Sequence, residues 1–266
     1  MKKLLSIILA VLAAQLIFAA GAKEFDSATL VVGAAPKPHA EMLRLIAPDL
    51  AAHGIKLEIL EADDAEKLNM GVESGQLDAN FFQHAPFMEA YNEEHGTHLV
   101  SAGRIHIEPI AIYSSRVVSI RDLKNYATIA IPDDPTNTAR ALLLLQTAGL
   151  IELAPEAGNK ATLQDIRNNI KNARLHAIPS EKLTEELPDF DAAVINGNHA
   201  LAVGLSAARD GLAVEDKDVP YVNVVTVKEG RQNDPRIIAL VKALHSKKIK
   251  RFINNKYPAG EVICAF

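Results

Sequence analysis

The chain has 266 residues, with 28 Lys and Arg against 33 Asp and Glu, 48% hydrophobic residues and one cysteine. A net charge of −5 with no basic cluster interleaved with aromatics excludes nucleic acid as a partner. The lone Cys264 excludes an intramolecular disulfide and any cysteine-based zinc site, so an ordinary core must supply the stability.

In chain order, Lys2 and Lys3, the apolar run Leu4 to Phe18 and the small residues Ala20-Gly21-Ala22 have the layout of a secretory signal peptide over residues 1–22. The run is shorter than the ~20 residues that span a bilayer. Cleavage is therefore the reading, with an uncleaved N-terminal anchor as the alternative. Losing Lys2 and Lys3 leaves the mature charge at −7, from 28 basic residues less two against 33 acidic. The remaining length suits one large α/β domain or two lobes of about 100 to 150 residues each.

From Ala28 onward, β-branched runs alternate with helical patterns, the signature of βαβ units around a largely parallel sheet. Leu30-Val31-Val32 leads into a helix from Pro38 to His53. Its Met42, Leu43, Ile46 and Leu50 share a core face, and Gly54 is its stop. Leu57 to Leu60 leads into Ala65 to Ser74, and Ala79 to Phe82 into a helix that starts near Ala85-Pro86. The chain then crosses through Leu99-Val100 and Ile105 to Tyr113. Thr128 to Ile131 feeds Thr136 to Thr147, whose Ala141 to Leu145 is apolar nearly all round and therefore buried between layers. Asn159 to Ile170 reads as a further helical stretch, before Leu175 to Ile178, Ser180 to Leu187 and Ala192 to Ile195. Val222 to Val227 is a return strand ahead of the helix Asp234 to His245, and Lys247-Lys248-Ile249-Lys250-Arg251 is the wet face of a terminal helix. No internal repeat or low-complexity linker divides the chain, so two lobes would be discontinuous, with crossings near Pro109 and Asn223 as hinges.

Five stretches place polar or aromatic side chains at strand ends or helix starts, where open α/β sheets build ligand sites. They are Asp78 to His84, His106-Ile107-Glu108-Pro109, Asp134-Pro135-Thr136-Asn137 with Arg140, Asn196-Gly197-Asn198, and Tyr221-Val222-Asn223. At the third, Asp134 is an N-cap and Pro135 the first helical residue, which leaves free N–H groups and a positive dipole end beside Asn137 and Arg140. Three apart, those two share a face and suit a carboxylate. The same residues also fit a plain helix start with Arg140 in a structural ion pair, Asp133 being a candidate partner. Strand alternation sends Phe81 and Phe82 to opposite faces, so only one is wholly core. His84 by spacing alone also fits a surface or capping role, Asn196-Gly197 an ordinary turn, and Asn223 a strand residue whose amide bonds backbone.

The order and spacing of these stretches over roughly residues 28–266 resemble the methionine-binding lipoprotein family, the NlpA-type substrate-binding proteins of methionine ABC importers. The resemblance implies an α/β, two-lobed periplasmic binding protein type II fold, each lobe a mixed sheet flanked by helices. Lobe I would comprise residues 28–108 with 224–266, and lobe II residues 109–223. It implies capture of methionine or a related amino acid or short peptide between the lobes, with no catalysis and no cofactor. Arg140 and Asn137 would take the carboxylate, Asn196 or Asn223 the amino group, and Phe82 and His84 the side chain. The importer's membrane permease would be the partner. Three positions depart from the family pattern: Ala65 stands for a Tyr, Asp133 for an Asn and His199 for a frequent Tyr. No cysteine follows the leader, where a lipid-anchored member carries its acylated residue, so a soluble periplasmic protein is expected.

Two other readings stand beside this one. His84, His95, His98, His106 and Glu108 crowd one region, which makes a periplasmic zinc-binding protein the alternative. A hydrolase finds no Gly-x-Ser-x-Gly and no phosphate-cradling glycine loop.

Overall fold

The computed structural model describes residues 28–266, so the expected leader over residues 1–22 lies outside the described residues. The chain opens with β1 (Thr29–Ala34), α1 (Glu41–Ala51), β2 (Lys56–Glu61), α2 (Ala65–Glu73), β3 (Ala79–His84), α3 (Ala85–His95) and β4 (Leu99–Ile107). It continues through β5 (Ala111–Tyr113), β6 (Thr128–Pro132), α4 (Pro135–Thr147), β7 (Ile151–Leu153), β8 (Ile166–Asn169), β9 (Arg174–Ile178), α5 (Leu183–Glu186), β10 (Ala192–Ile195) and α6 (Gly197–Ala202). Then come α7 (Ala207–Asp210), β11 (Ala213–Val214), β12 (Val222–Lys228), α8 (Pro235–Leu244), α9 (Lys247–Lys256) and β13 (Ile263–Cys264).

Two mixed sheets organise these elements into two lobes. The first runs β13-β4-β12-β3-β1-β2 and the second β11-β5-β10-β6-β9. In the first, β1 pairs in parallel with β2 and β3, while β12 runs antiparallel between β3 and β4. In the second, β6 pairs in parallel with β9 and β10, and β5 is antiparallel to β10. The expectation of largely parallel sheets therefore holds for the βαβ halves only. The chain re-enters the first sheet from the second lobe, and that long return has no crossover helix on the sheet to turn it parallel.

Each lobe has its own core. In the first, Met42, Leu43, Ile46 and Leu50 of α1 pack with Leu30, Val32, Phe81, Val225 and Leu240. The four α1 positions are the apolar stripe read from the sequence, and Gly54 takes φ +75° in the turn that follows. In the second, α4 is buried along Ala139, Ala141, Leu142, Leu144 and Leu145 against Ile129, Ile131 and Val194. α4 begins where capping predicts: Asp134 accepts the Asn137 N–H at 2.9 Å, with Pro135 in the first turn.

One expected helix is absent. Residues 159–170 form two single turns, Gly158–Lys160 and Leu163–Asp165, and then β8, which pairs antiparallel with β7. Local side-chain bonding and exposure explain this. Asp165 closes a capping box with Thr162 around one turn, and Asn169 bonds both the N–H and the carbonyl of Ala173. Leu163 and Ile170 stay exposed, so no apolar face rewards a longer helix.

Phe81 and Phe82 point to opposite faces of β3. Phe81 is fully buried, with the His39 ring edge-on at 4.7 Å and His106 at 5.4 Å, whereas Phe82 faces the space between the lobes. Phe81→Ala is expected to destabilise the protein by about 3–5 kcal/mol, read as a fall in the urea midpoint, because the rigid neighbours cannot fill the cavity.

Candidate functional site

Among the described residues, the six parallel strands end at one place. Ala35 follows β1, Asp63 and Asp64 follow β2, His84 ends β3, Asp133 follows β6, Ser180 follows β9 and Asn196 follows β10, and all line a cavity of about 680 Å³ between the lobes. This is where an open α/β sheet leaves backbone groups and helix starts unused. The six residues singled out from sequence, Phe82, His84, Asn137, Arg140, Asn196 and Asn223, converge there.

A chain of amide and imidazole bonds crosses the cleft. His84 is the N-cap of α3, its Nδ1 accepting the Phe87 N–H at 3.1 Å, so Nε2 carries the proton and donates to Asn137 Oδ1 at 3.1 Å. The same Oδ1 accepts from Asn196 Nδ2 at 2.9 Å, and Asn137 Nδ2 donates to Asp134 Oδ2 at 2.9 Å. His84 is thus both cap and cavity wall, and it is buried rather than on the surface. Burial, then the Arg140 charge, lower its pKa to about 3, so it is neutral at physiological pH. Asn196 stands at the N-cap position of α6 without a side-chain capping bond, and its Oδ1 is buried with no hydrogen-bond partner among the described residues.

Arg140 is held more firmly than its spacing indicated. Its side chain is 3% exposed, and it forms a fork with the carboxylate of Glu215, Nε to Oε1 at 2.7 Å and Nη2 to Oε2 at 2.5 Å. Nη2 also donates to the Glu108 carbonyl at 2.8 Å, and the guanidinium lies 4.3 Å from the centre of the Tyr221 ring. The ion pair weighed from sequence exists, with Glu215 as partner in place of Asp133. Glu215 was missed because 75 positions separate it from Arg140 and it lies in no recognisable motif. Nη1 is the guanidinium nitrogen left without a protein partner among the described residues.

The crossing between the lobes gathers a second buried group. Asn223 Oδ1 accepts from His39 Nε2 at 3.1 Å, at a break in the β12 register, so its amide bonds a side chain, not backbone. Glu108 Oε1 lies 2.5 Å from His106 Nε2 and 3.3 Å from His39 Nε2. Burial raises the Glu108 pKa, against the pull of His39 and Arg140. A Cβ on Gly197 would come 2.8 Å from Glu108 Cβ, so glycine is what lets α6 start against this carboxylate.

The histidine-rich region does not converge as zinc ligation requires. His84 bonds Asn137, His95 stacks on Tyr91 at 4.1 Å, and His98 pairs with Glu73. His106 and Glu108 do meet, together with His39, which no sequence pattern singles out. The zinc alternative has no support.

The rest of the lining is Ala65, Glu66, Gln83, Phe87, Glu181, Asn198 and His199, beside residues already placed. Phe82 and Phe87 meet edge to face at 6.2 Å. Ala65 at the start of α2, Asp133 after β6 and His199 in α6 all border the cavity, so all three positions that break the family pattern are wall positions.

Burial lowers the pKa of His39 to about 4 and of His106 to about 3, as it does for His84. The unfolded chain then binds more protons than the folded one between pH 6.5 and about 4, and the stability these histidines contribute is complete above pH 6.5 and lost as pH falls. Glu108, with a raised pKa, acts in the opposite direction near its own titration. Urea unfolding at pH 7 and pH 5 is expected to show a loss of a few kcal/mol at pH 5, at up to ~1.4 kcal/mol per histidine per pH unit. Equal stability at the two pH values would show that these rings are not held neutral.

Comparison with known proteins bears on what this cavity serves. The family model described as NlpA lipoprotein matches residues 30–266. The methionine-binding lipoprotein MetQ of Bacillus subtilis is 37% identical over 233 residues, covering 86% of this chain and 85% of that protein. The structure of a nutrient binding protein from Burkholderia cenocepacia bound to methionine superposes with a TM-score of 0.85 at 37% identity, covering 89% of this chain and all of the other. A periplasmic substrate-binding protein of an ABC transporter from Coxiella burnetii gives 0.84 at 36% identity, again over 89% of this chain and all of the other. With the match spanning both lobes and the cavity between them, this chain belongs to the NlpA lipoprotein family.

Proposed function

We propose that this chain is the exported substrate-binding protein of an ABC importer and captures methionine or a related amino acid or short peptide between its lobes. The observation that carries this reading is the convergence of Phe82, His84, Asn137, Arg140, Asn196 and Asn223 on one interlobe cavity of about 680 Å³. That space admits an amino acid or dipeptide.

The ligand's carboxylate meets Arg140 Nη1 and the N-terminal turn of α4 at Asn137. Its ammonium meets the unpartnered Oδ1 of Asn196 or the amide of Asn223, with the Glu108 carboxylate behind them. Its side chain packs on Phe82 and His84, where a thioether finds aromatic edges. Lobe I, residues 28–108 with 224–266, and lobe II, residues 109–223, close about hinges at Pro109 and Asn223. The closed form docks on the importer's membrane permease, and the protein itself turns nothing over. Among the described residues no helix is long and apolar enough to cross a membrane. Export by residues 1–22, with cleavage at Ala22, would place a soluble protein in the periplasm.

Two experiments test this reading. A thermal-shift screen of the mature protein against the amino acids, both methionine enantiomers and methionine-containing dipeptides is expected to give a clear rise. Ligand at 100 times Kd stabilises by about 2.7 kcal/mol. No shift with any of them would sink the proposal. Asn196→Ala is expected to lower affinity at least tenfold by calorimetry. Arg140→Ala should cost several kcal/mol of affinity and also lower the unfolding midpoint, since it strands Glu215.

A further inference from the structure

The edge of the second sheet farthest from the cleft has a charge of its own. The parallel strands β6 and β9 start there side by side, Thr128 in register with Arg174, and end about 16 Å away, just before Asp133 and Ser180 of the cavity wall. The residues around those starts, 116–126 and 167–174, hold six Lys and Arg and one acid, Asp122, in a chain whose net charge is −5. Arg116 is paired with Asp191 and Arg167 with Glu156. Arg121, Lys124, Lys171 and Arg174 form no ion pair among the described residues. Lys171 Nζ donates instead to the Arg121 carbonyl at 2.9 Å and to the Leu123 carbonyl, and Arg174 Nη2 donates to the Tyr126 carbonyl at 3.3 Å. Backbone carbonyls fix where these two charges sit without neutralising them.

The same turns expose apolar side chains. Val118 is 92% exposed, Tyr126 62% and Ile170 51%, although their neighbours Val117, Ile120 and Leu123 pack into the core of the lobe. Tyr126 N–H donates to the Lys171 carbonyl at 2.8 Å, which sets Tyr126 beside Ile170. Tyr126 and Asn172 are also the two non-glycine residues with left-handed backbone among the described residues, at φ +64° and +51°. That conformation suits asparagine but strains an aromatic residue, and no burial of the ring offsets the strain. Glycine would hold the turn without strain, so the ring gains nothing within the fold.

Cationic, aromatic and aliphatic side chains on one face match an anionic lipid surface. Ammonium and guanidinium groups meet lipid phosphates, while a tyrosine ring and aliphatic side chains enter the headgroup layer. A nucleic acid or another soluble polyanion would use the four cations and leave Val118 and Ile170 in water.

We infer that this edge of the second lobe is a docking face for an anionic phospholipid bilayer, with Arg121, Lys124, Lys171 and Arg174 on the phosphates and Val118, Tyr126 and Ile170 in the headgroup layer. Because the face lies across the sheet from the cleft, docking does not cover the cavity and is independent of what the cavity binds.

Sedimentation of the mature protein with vesicles of phosphatidylcholine alone, or of phosphatidylcholine and phosphatidylglycerol in equal parts, tests this. A cation close to an anionic surface contributes about fivefold, so partition onto the mixed vesicles should exceed that onto phosphatidylcholine by roughly tenfold or more at low salt and fall as salt is raised. The double variant Arg121→Glu, Lys124→Glu should lower it by roughly tenfold or more. Tyr126→Gly separates docking from folding. It relieves the backbone, so the unfolding midpoint should stay level or rise, while partition onto the mixed vesicles falls by roughly threefold or more. Equal partition onto the two kinds of vesicle, absence of binding included, would overturn the inference, as would undiminished partition in either variant. Retention on a heparin column without vesicle binding would overturn it too, since that needs the cations alone.

Discussion

The buried fork between Arg140 and Glu215 is the interaction on which the interlobe architecture depends. Arg140 stands on α4 of the second lobe, yet it donates to the Glu108 carbonyl at one crossing and lies under the Tyr221 ring at the other. One guanidinium therefore touches both segments that join the lobes. Burying this charge is tolerable because Glu215 answers it in bidentate geometry and Nη2 also finds the Glu108 carbonyl. The same economy limits what Arg140 offers a ligand, because Nη1 alone remains for an incoming carboxylate.

Around this clamp the site is wired for direction. His84 accepts at Nδ1 and donates at Nε2, Asn137 accepts from His84 and Asn196 and donates to Asp134, and each bond presupposes its neighbour. The sequence of donors and acceptors works only with a neutral imidazole, which burial enforces. Polar networks of this kind fix geometry more than they add stability. Their position at the ends of the parallel strands makes that geometry available to whatever enters the cleft.

Beneath the site, a second layer of amides holds the platform still. Asn69, Asn80 and Gln83 are buried and mutually bonded, with Asn80 Nδ2 to Asn69 Oδ1 at 2.8 Å and Gln83 Nε2 to Asn69 Oδ1 at 2.6 Å. They tie α2 to β3, so Ala65 and Phe82, at the top of those elements, share one rigid support. Asp78 does the same at the other end of β3, accepting the Val31 N–H at 2.9 Å and a bond from Arg236 at 3.1 Å. Several residues of the stretch from Asp78 to His84 thus serve the frame, and of that stretch Phe82, Gln83 and His84 border the cavity.

The sequence by itself determined what is local or periodic. The α1 stripe, the Asp134-Pro135 start of α4, the opposed faces of Phe81 and Phe82 and the six cavity residues were legible because capping, alternation and motif order act over a few positions. Only the tertiary structure decided which distant groups meet. Glu215 reaches Arg140 across 75 positions, His39 reaches Asn223 across 184, and the acids of two lobes face one cavity, none of which any local pattern encodes. The lost helix at 159–170 has the same cause in reverse: a helical pattern there had no neighbour to bury its apolar face, so side-chain bonds to the backbone prevailed.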